Sequence, residues 1–262
     1  VPIKPLNFPY ATPLKPRLRA LVVGASSGMG AALAKKLARE GYDLALVARR
    51  EGLLSSLCDE INQHIDDGRA QYYVHDVSDF GIVPDLLRRI VSDLGGLDLA
   101  IYAAGVNFAP QVSEYNTKND RQMLEINLIG AFAWLDPIAA LFQSAKAGQI
   151  VGISSVAGER GRVGNPGYNA SKAGLTSYLE SLRNRLTRHA VNVLTVKAGF
   201  VQTDMLKAAQ KVMLPITAEK AADDIWKAIR ARKQEIYTPW FWRWIMFIIR
   251  NIPSTLFRRM SF

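Results

Sequence analysis

The chain has 262 residues, 49% of them apolar and 21% charged, enough to bury the core of one large domain and incompatible with a disordered, collagen-like or small disulfide-stapled chain. Its one cysteine, Cys58, has no partner for an internal disulfide, and three scattered histidines, His64, His75 and His189, make no zinc or iron ligand set. Metal-free chemistry in a reducing, cytoplasmic compartment is therefore expected.

The formal charge of +10 belongs to the ends. Residues 1–19 carry Lys4, Lys15, Arg17 and Arg19 and no acid, and residues 236–262 carry Arg243, Arg250, Arg258 and Arg259 and no acid, so the middle keeps only +2. No zinc finger, RNP-type motif or basic recognition helix accompanies the charge, which excludes nucleic acid as the expected partner. Five prolines in the first twenty residues, and no apolar run there of signal-peptide length, predict an extended surface arm over 1–19.

In chain order, a strand over 20–23 turns through glycines into a helix over 29–40. There Met29, Leu33 and Leu37 share one face, Lys35, Lys36 and Arg39 look away, and Gly41 ends the helix. A second strand at 44–48 precedes a helix at 53–64, and a third strand at 72–74 precedes a helix from Pro84. The fourth strand, 97–102, and the fifth, 150–154, flank a long helix within 117–146 that Pro137 is predicted to kink. A helix at 171–189 leads to the sixth strand at 191–196; Thr217 caps a helix running to Arg232, and 236–238 makes a seventh strand.

The strands read as continuous apolar runs joined by helical crossovers, which predicts a doubly wound parallel α/β sheet of about seven strands, a single Rossmann-like domain over 20–238. Chemistry is then expected just after each strand, at the carboxyl edge of the sheet. The final segment, 239–262, opens with WFWRWIMFII, nine apolar residues in ten. A bilayer span needs about 20 apolar residues, so this run, broken by Arg243 and closed by Arg250, is too short to cross.

Gly24 to Gly30 reads GASSGMG. Glycines at Gly24, Gly28 and Gly30 let backbone approach a pyrophosphate, and the following helix presents its N-terminal N–H groups, with Met29 in the turn. After the second strand stand Ala48-Arg49-Arg50, where an NAD site of this architecture would place a carboxylate for the ribose. Two guanidinium groups suit a 2′-phosphate instead, with Ser26 and Ser27 adding hydroxyls, so NADP(H) is the expected cofactor. Asp76 and Val77 can receive adenine, although an aspartate capping the next helix satisfies the same sequence, and Ala103-Ala104-Gly105 lets the chain pass close to the cofactor. After the fifth strand, Ser155 precedes Tyr168 by thirteen residues, and Lys172 follows Tyr168 by four in YNASK. At that spacing the ammonium shares a helical face with the phenol and is expected to lower its pKa, making a proton donor usable near neutral pH.

Together, GASSGMG, Asp76-Val77, the AAG at 103–105, Asn127, Ser155, YNASK and the AGFVQT at 198–203 make residues 18–238 resemble a short-chain dehydrogenase/reductase of the single-domain kind. The resemblance implies hydride transfer between a nicotinamide and a carbonyl or alcohol. It assigns Tyr168 as general acid or base, Ser155 as hydrogen-bond donor to the reacting oxygen and Lys172 as holder of the nicotinamide ribose. Asn127 would position a water in a proton relay; a buried asparagine satisfied by backbone is the plain alternative. Gly199, Val201 and Thr203 would border the nicotinamide. Val23, Ala103 and Ala198 depart from the family's usual threonine, asparagine and proline without removing a glycine or a proton carrier.

In this family the stretch between Thr203 and Thr217 covers the substrate, and Met205, Leu206, Met213, Leu214 and Pro215 predict an apolar lining, unless they simply pack on the core. The expected substrate is a hydrophobic or lipid-like ketone or aldehyde. The tail, as a helix with Arg243 and Arg250 on one side, suits either the headgroup layer of an anionic bilayer or packing over the active site or a second subunit. A non-catalytic, dinucleotide-binding membrane scaffold is the rival reading, against which the complete Asn127, Ser155, Tyr168 and Lys172 set counts. A homodimer or homotetramer through the helices bearing Asn127 and Tyr168 is implied by the resemblance.

Overall fold

A computed structural model describes residues 17–64, 70–108, 110–208 and 212–260. Most of the expected N-terminal arm, the centre of the expected lid and the last two residues lie outside these.

The strands are β1 (Arg19–Val23), β2 (Asp43–Ala48), β3 (Ala70–Val74), β4 (Leu99–Tyr102), β5 (Gln149–Ser155) and β6 (Asn192–Ala198), with β7 (Val201–Gln202), β8 (Ile216–Thr217) and β9 (Glu235–Thr238) following. Seven of them form one parallel sheet in the order β3-β2-β1-β4-β5-β6-β9. The inner strands are buried on both sides, as their unbroken apolar runs require. β3, at the edge, leaves Tyr72 and Val74 exposed.

The helices are α1 (Gly28–Arg39), α2 (Glu51–His64), α3 (Val83–Leu94), α4 (Thr117–Leu124), α5 (Gly130–Ala145), α6 (Pro166–Leu186), α7 (Ala218–Arg230), α8 (Trp242–Asn251) and α9 (Ser254–Phe257). One apolar core joins the sheet to α1, α2 and α7, and a second joins its other face to α3, α5 and α6. Thr217 caps α7 as expected, its hydroxyl accepting the Lys220 N–H at 3.1 Å.

Three local features differ from the expected pattern or add to it. The long helix leaves α-helical hydrogen bonding at a π turn over Glu125–Ile129, while Pro137 sits inside α5. α6 starts at Pro166, five residues before the expected Ser171, because Asn165 caps it by accepting the Tyr168 N–H at 3.1 Å and proline takes the first helical position. A small parallel pair, β7 with β8, joins the two ends of the lid segment.

β1 and β4 are neighbours although β2 and β3 lie between them in sequence, so the chain reverses its direction of winding at this point. A crevice opens at the carboxyl edge of the sheet beside this point.

Candidate active site

The crevice is built on backbone contact. Gly24 has φ +92°, and a β-carbon there would stand 2.6 Å from Ala104 Cα and 2.7 Å from the Ala103 carbonyl carbon, so the loops after β1 and β4 meet main chain to main chain. A side chain at Gly30 would collide with the Gly24 carbonyl. Ser27 is the N-cap of α1 yet makes no capping hydrogen bond, so the amides of Gly28, Met29 and Gly30 keep their donors for the groove they line. A close-approach cradle, an uncapped helix start and two cations form a donor set that fits the phosphates of a dinucleotide.

The two arginines are held differently. Arg50 donates from Nη2 to Ser26 Oγ at 2.9 Å and to Ser27 Oγ at 2.5 Å, which assembles both serines with one guanidinium. Arg49 reaches the other way, to Asp76 Oδ2 at 3.3 Å, and stays largely exposed. Asp76 does not cap a helix: its Oδ1 accepts from the Ser78 N–H and hydroxyl. Burial raises its pKa, but the Ser78 bonds and the Arg49 charge outweigh that and hold it below the usual carboxylate value. Val77 is buried beside it in the groove.

At the other end of the crevice, Ser155 closes β5, Tyr168 stands in the first turn of α6 and Lys172 one turn later. The three line one cleft with Gly199, Val201 and Thr203, and that cleft shares Met29, Ala103, Gly105 and Thr203 with the phosphate groove. Ser155 Oγ accepts the Ala157 N–H at 3.1 Å and lies 3.2 Å from the Ala198 carbonyl, within hydrogen-bond reach. Lys172 Nζ, fully inside, donates to the Ile153 carbonyl at 2.9 Å and lies 5.9 Å from the Tyr168 ring centre.

The electrostatics differ from expectation. Burial raises the Tyr168 phenol, and what pulls it back is the Ser155 hydroxyl and the charge of Arg162; the net shift is upward. Lys172 is itself pushed down to about 8 by loss of hydration. Lys172 spends a donor on the Ile153 carbonyl, and the influences that pull the phenol back come from Ser155 and Arg162.

Asn127 lies in the π turn, fully buried behind the cleft rather than lining it. Its Oδ1 accepts the Val106 N–H at 2.7 Å, and its Nδ2 donates to the Val106 carbonyl and to Ser171 Oγ, both at 3.0 Å. With both ends of the amide engaged, the side chain ties the loop after β4 to α6 and has no spare donor for a water. A β-carbon on Gly105 would stand 3.3 Å from Asn127 Oδ1 and 3.5 Å from Lys172 Nζ, so this loop passes directly over both.

Of the expected lid, Met205 and Leu206 line the cleft, whereas Met213 and Leu214 are exposed. The tail packs inward: Trp242 and Met246 are buried against Val156, with Phe200 beside them, and Arg160 donates to the Ile249 carbonyl. Trp240, Trp244, Phe247 and Ile248 face outward. Three residues of the site were not singled out from sequence: Arg162, on the loop between β5 and α6; Trp242, packed on Gly199; and His75, buried in the phosphate groove, its pKa lowered by burial, and set edge-on to Trp134. Only His75 carried a usable signal, its place beside Asp76 after a strand.

Over residues 19–213 the sequence matches the short chain dehydrogenase family. The chain belongs to that family. An uncharacterized oxidoreductase of Mycobacterium tuberculosis is 30% identical over 94% of this chain and 98% of its own length. One from Myxococcus xanthus is 32% identical over 91% and 94%. Among solved structures, the short-chain dehydrogenase from Sphingobium yanoikuyae in complex with NADPH superimposes with a TM-score of 0.78 at 22% identity, covering 90% of this chain and 97% of that one, and shows the same fold. This short chain dehydrogenase is accordingly an oxidoreductase acting on alcohol and carbonyl groups.

Proposed function

We propose that this short chain dehydrogenase uses NADP(H) to interconvert a hydrophobic ketone or aldehyde and its alcohol. The observation that carries the reading is one continuous crevice with Arg49 and Arg50 at one end and Ser155, Tyr168 and Lys172 at the other. The NADPH in the Sphingobium relative points the same way. Bound here, the cofactor would supply or accept the hydride.

The chain's own residues divide the remaining work. Arg49, Arg50, Ser26 and Ser27 hold the 2′-phosphate, the glycine cradle and α1 hold the pyrophosphate, and Asp76 and Val77 receive adenine. Ala103, Ala104 and Gly105 let the chain pass close by, and Gly199, Val201 and Thr203 hold the nicotinamide end. Tyr168 passes a proton to the carbonyl oxygen, general acid catalysis worth about 10²- to 10⁴-fold. Ser155 stabilises that oxygen once its hydroxyl rotates off the Ala198 carbonyl. Lys172 holds the ribose, and Asn127 acts as a positioning residue through the Val106 loop. Val156, Phe200, Met205 and Leu206 give the substrate side an apolar wall.

A cytoplasmic enzyme, paired as a homodimer or homotetramer through α4, α5 and α6, completes the reading. Peripheral membrane contact through 240–262 is its second element, favoured by Trp240 just before α8 and by the outward face of α8, where Trp244, Phe247 and Ile248 stand exposed beside Arg243. The scaffold alternative leaves the Tyr168 end of the crevice without a purpose. Replacing Tyr168 with Phe is the test: ketone-dependent NADPH oxidation is expected to fall at least about 100-fold while NADPH binding, read by fluorescence, holds. Retained turnover would overturn the assignment.

A further inference from the structure

We infer that the substrate carries an anionic group, a carboxylate or a phosphate, and that Arg162 receives it. The inference rests on the reductase reading and narrows its substrate class.

The loop between β5 and α6 holds three charged residues, Glu159, Arg160 and Arg162. Two are used by the fold. Glu159 Oε1 accepts from Lys197 Nζ and from the Tyr237 hydroxyl, both at 2.6 Å, in a buried cluster. Arg160 donates to the Ile249 carbonyl and lies 3.7 Å over the Phe257 ring.

Arg162 is different. Its main-chain carbonyl accepts from Nδ2 of Asn169, the residue after Tyr168 in α6, at 3.2 Å, which ties this part of the loop to the helix. Its side chain, partly buried in the wall of the cleft that Tyr168 also lines, has no carboxylate or carbonyl partner among the described residues. Among the described residues the cleft wall holds two cations, Arg162 and Lys172, and no aspartate or glutamate. Lys172 already spends a donor on Ile153.

A guanidinium that has lost part of its hydration and gained no counter-ion is costly to the folded protein, and an incoming anion recovers that cost. Arginine's planar fork suits carboxylate and phosphate oxygens in particular. Val156, Phe200, Met205 and Leu206 would meet the rest of the molecule. The ligand these features fit is an amphiphile: an aliphatic carbonyl compound with an acidic end.

The test compares kcat/KM for a medium-chain oxo-carboxylic acid, its methyl ester and the matching oxo-alkyl phosphate, with NADPH, in the wild type, Arg162→Gln and Arg162→Lys. The wild type is expected to prefer at least one anion over the ester tenfold or more, chiefly through KM; whichever anion is preferred names the headgroup. Arg162→Gln should bring that ratio to within twofold, Arg162→Lys should keep part of it, and NADPH affinity should stay constant. An unchanged ratio in Arg162→Gln overturns the inference. So does an equal loss on acid and ester with a displaced pH profile, which would make Arg162 a partner of Tyr168 alone, and so does a parallel loss of NADPH affinity. Wild-type turnover of the ester without preference for either anion removes Arg162's role and leaves the reductase reading standing; no turnover of any ketone removes the reading itself.

Discussion

The indole of Trp242 occupies the space that a side chain on Gly199 would need: a β-carbon built there stands 2.8 Å from Trp242 Cε2 and closer still to the ring nitrogen. The C-terminal helix is therefore seated on the loop that borders the catalytic cleft. Gly199→Ala should destabilise the protein by about 1–3 kcal/mol, the usual range for overpacking. Trp242→Ala should itself cost about 3–5 kcal/mol through the cavity it leaves. In that background Gly199→Ala should be close to neutral, a coupling that denaturant melts of the double-mutant cycle would measure; strict additivity would separate the two residues.

The phosphate end can be tested through its two arginines. Charge-assisted hydrogen bonds contribute about 1.5–3 kcal/mol each, so the Arg49→Ala, Arg50→Ala pair should lower the NADPH-over-NADH ratio of kcat/KM at least tenfold. Arg50→Ala alone should have the larger effect, since it also releases Ser26 and Ser27, whereas Arg49 is shared with Asp76. An unchanged ratio in the double variant would place the 2′-phosphate elsewhere.

Lys172 gives a pH signature. Its pKa, about 8, is set by burial; below that pH the side chain is a cation facing an anionic cofactor, and above it the charge is lost. NADPH affinity of the wild type should hold below pH 8 and weaken toward about tenfold per pH unit above it, following the loss of one proton. Lys172→Met should bind more weakly at neutral pH and show no break near 8. Isothermal titration from pH 6.5 to 9.5 would check both.

The tail's outer face can be separated from its inner one. Cutting the chain after Pro239 would strip Trp242 and Met246 from the core, so substitutions serve better. Trp244→Ser with Phe247→Ser and Ile248→Ser should preserve the melting temperature within a few degrees and reduce sedimentation with anionic vesicles at least tenfold. Wild-type binding should fall with added salt, because arginines screened by ions lose their attraction to lipid phosphates. Equal sedimentation of both proteins would leave that face without a lipid role.

Much of this architecture is written locally. Apolar runs mark β1, β2 and β4–β6, because strands covered on both sides have no polar face to show, and Thr217 announces α7 by its own hydroxyl. The glycine turn, the arginines after β2 and the Ser155, Tyr168 and Lys172 spacing each sit at a strand end, so their convergence follows once the sheet is parallel. The start of α6 is also legible in Asn165-Pro166, a cap followed by a proline at the first helical position.

Other features depend on contacts between distant residues. The π turn at Asn127 accompanies hydrogen bonds to Val106 and Ser171, and no spacing in the sequence encodes them. Whether Lys172 serves the phenol or a carbonyl, whether Arg162 has a counter-ion, and which side of the WFWRWIMFII segment turns inward are settled by what the folded chain places beside each group. Sequence by itself determined the parallel α/β domain and its family, since periodicity and strand-end residues are local properties. Only the tertiary structure decided the charge balance of the cleft and the seat of α8, because burial and pairing belong to neighbours far apart along the chain.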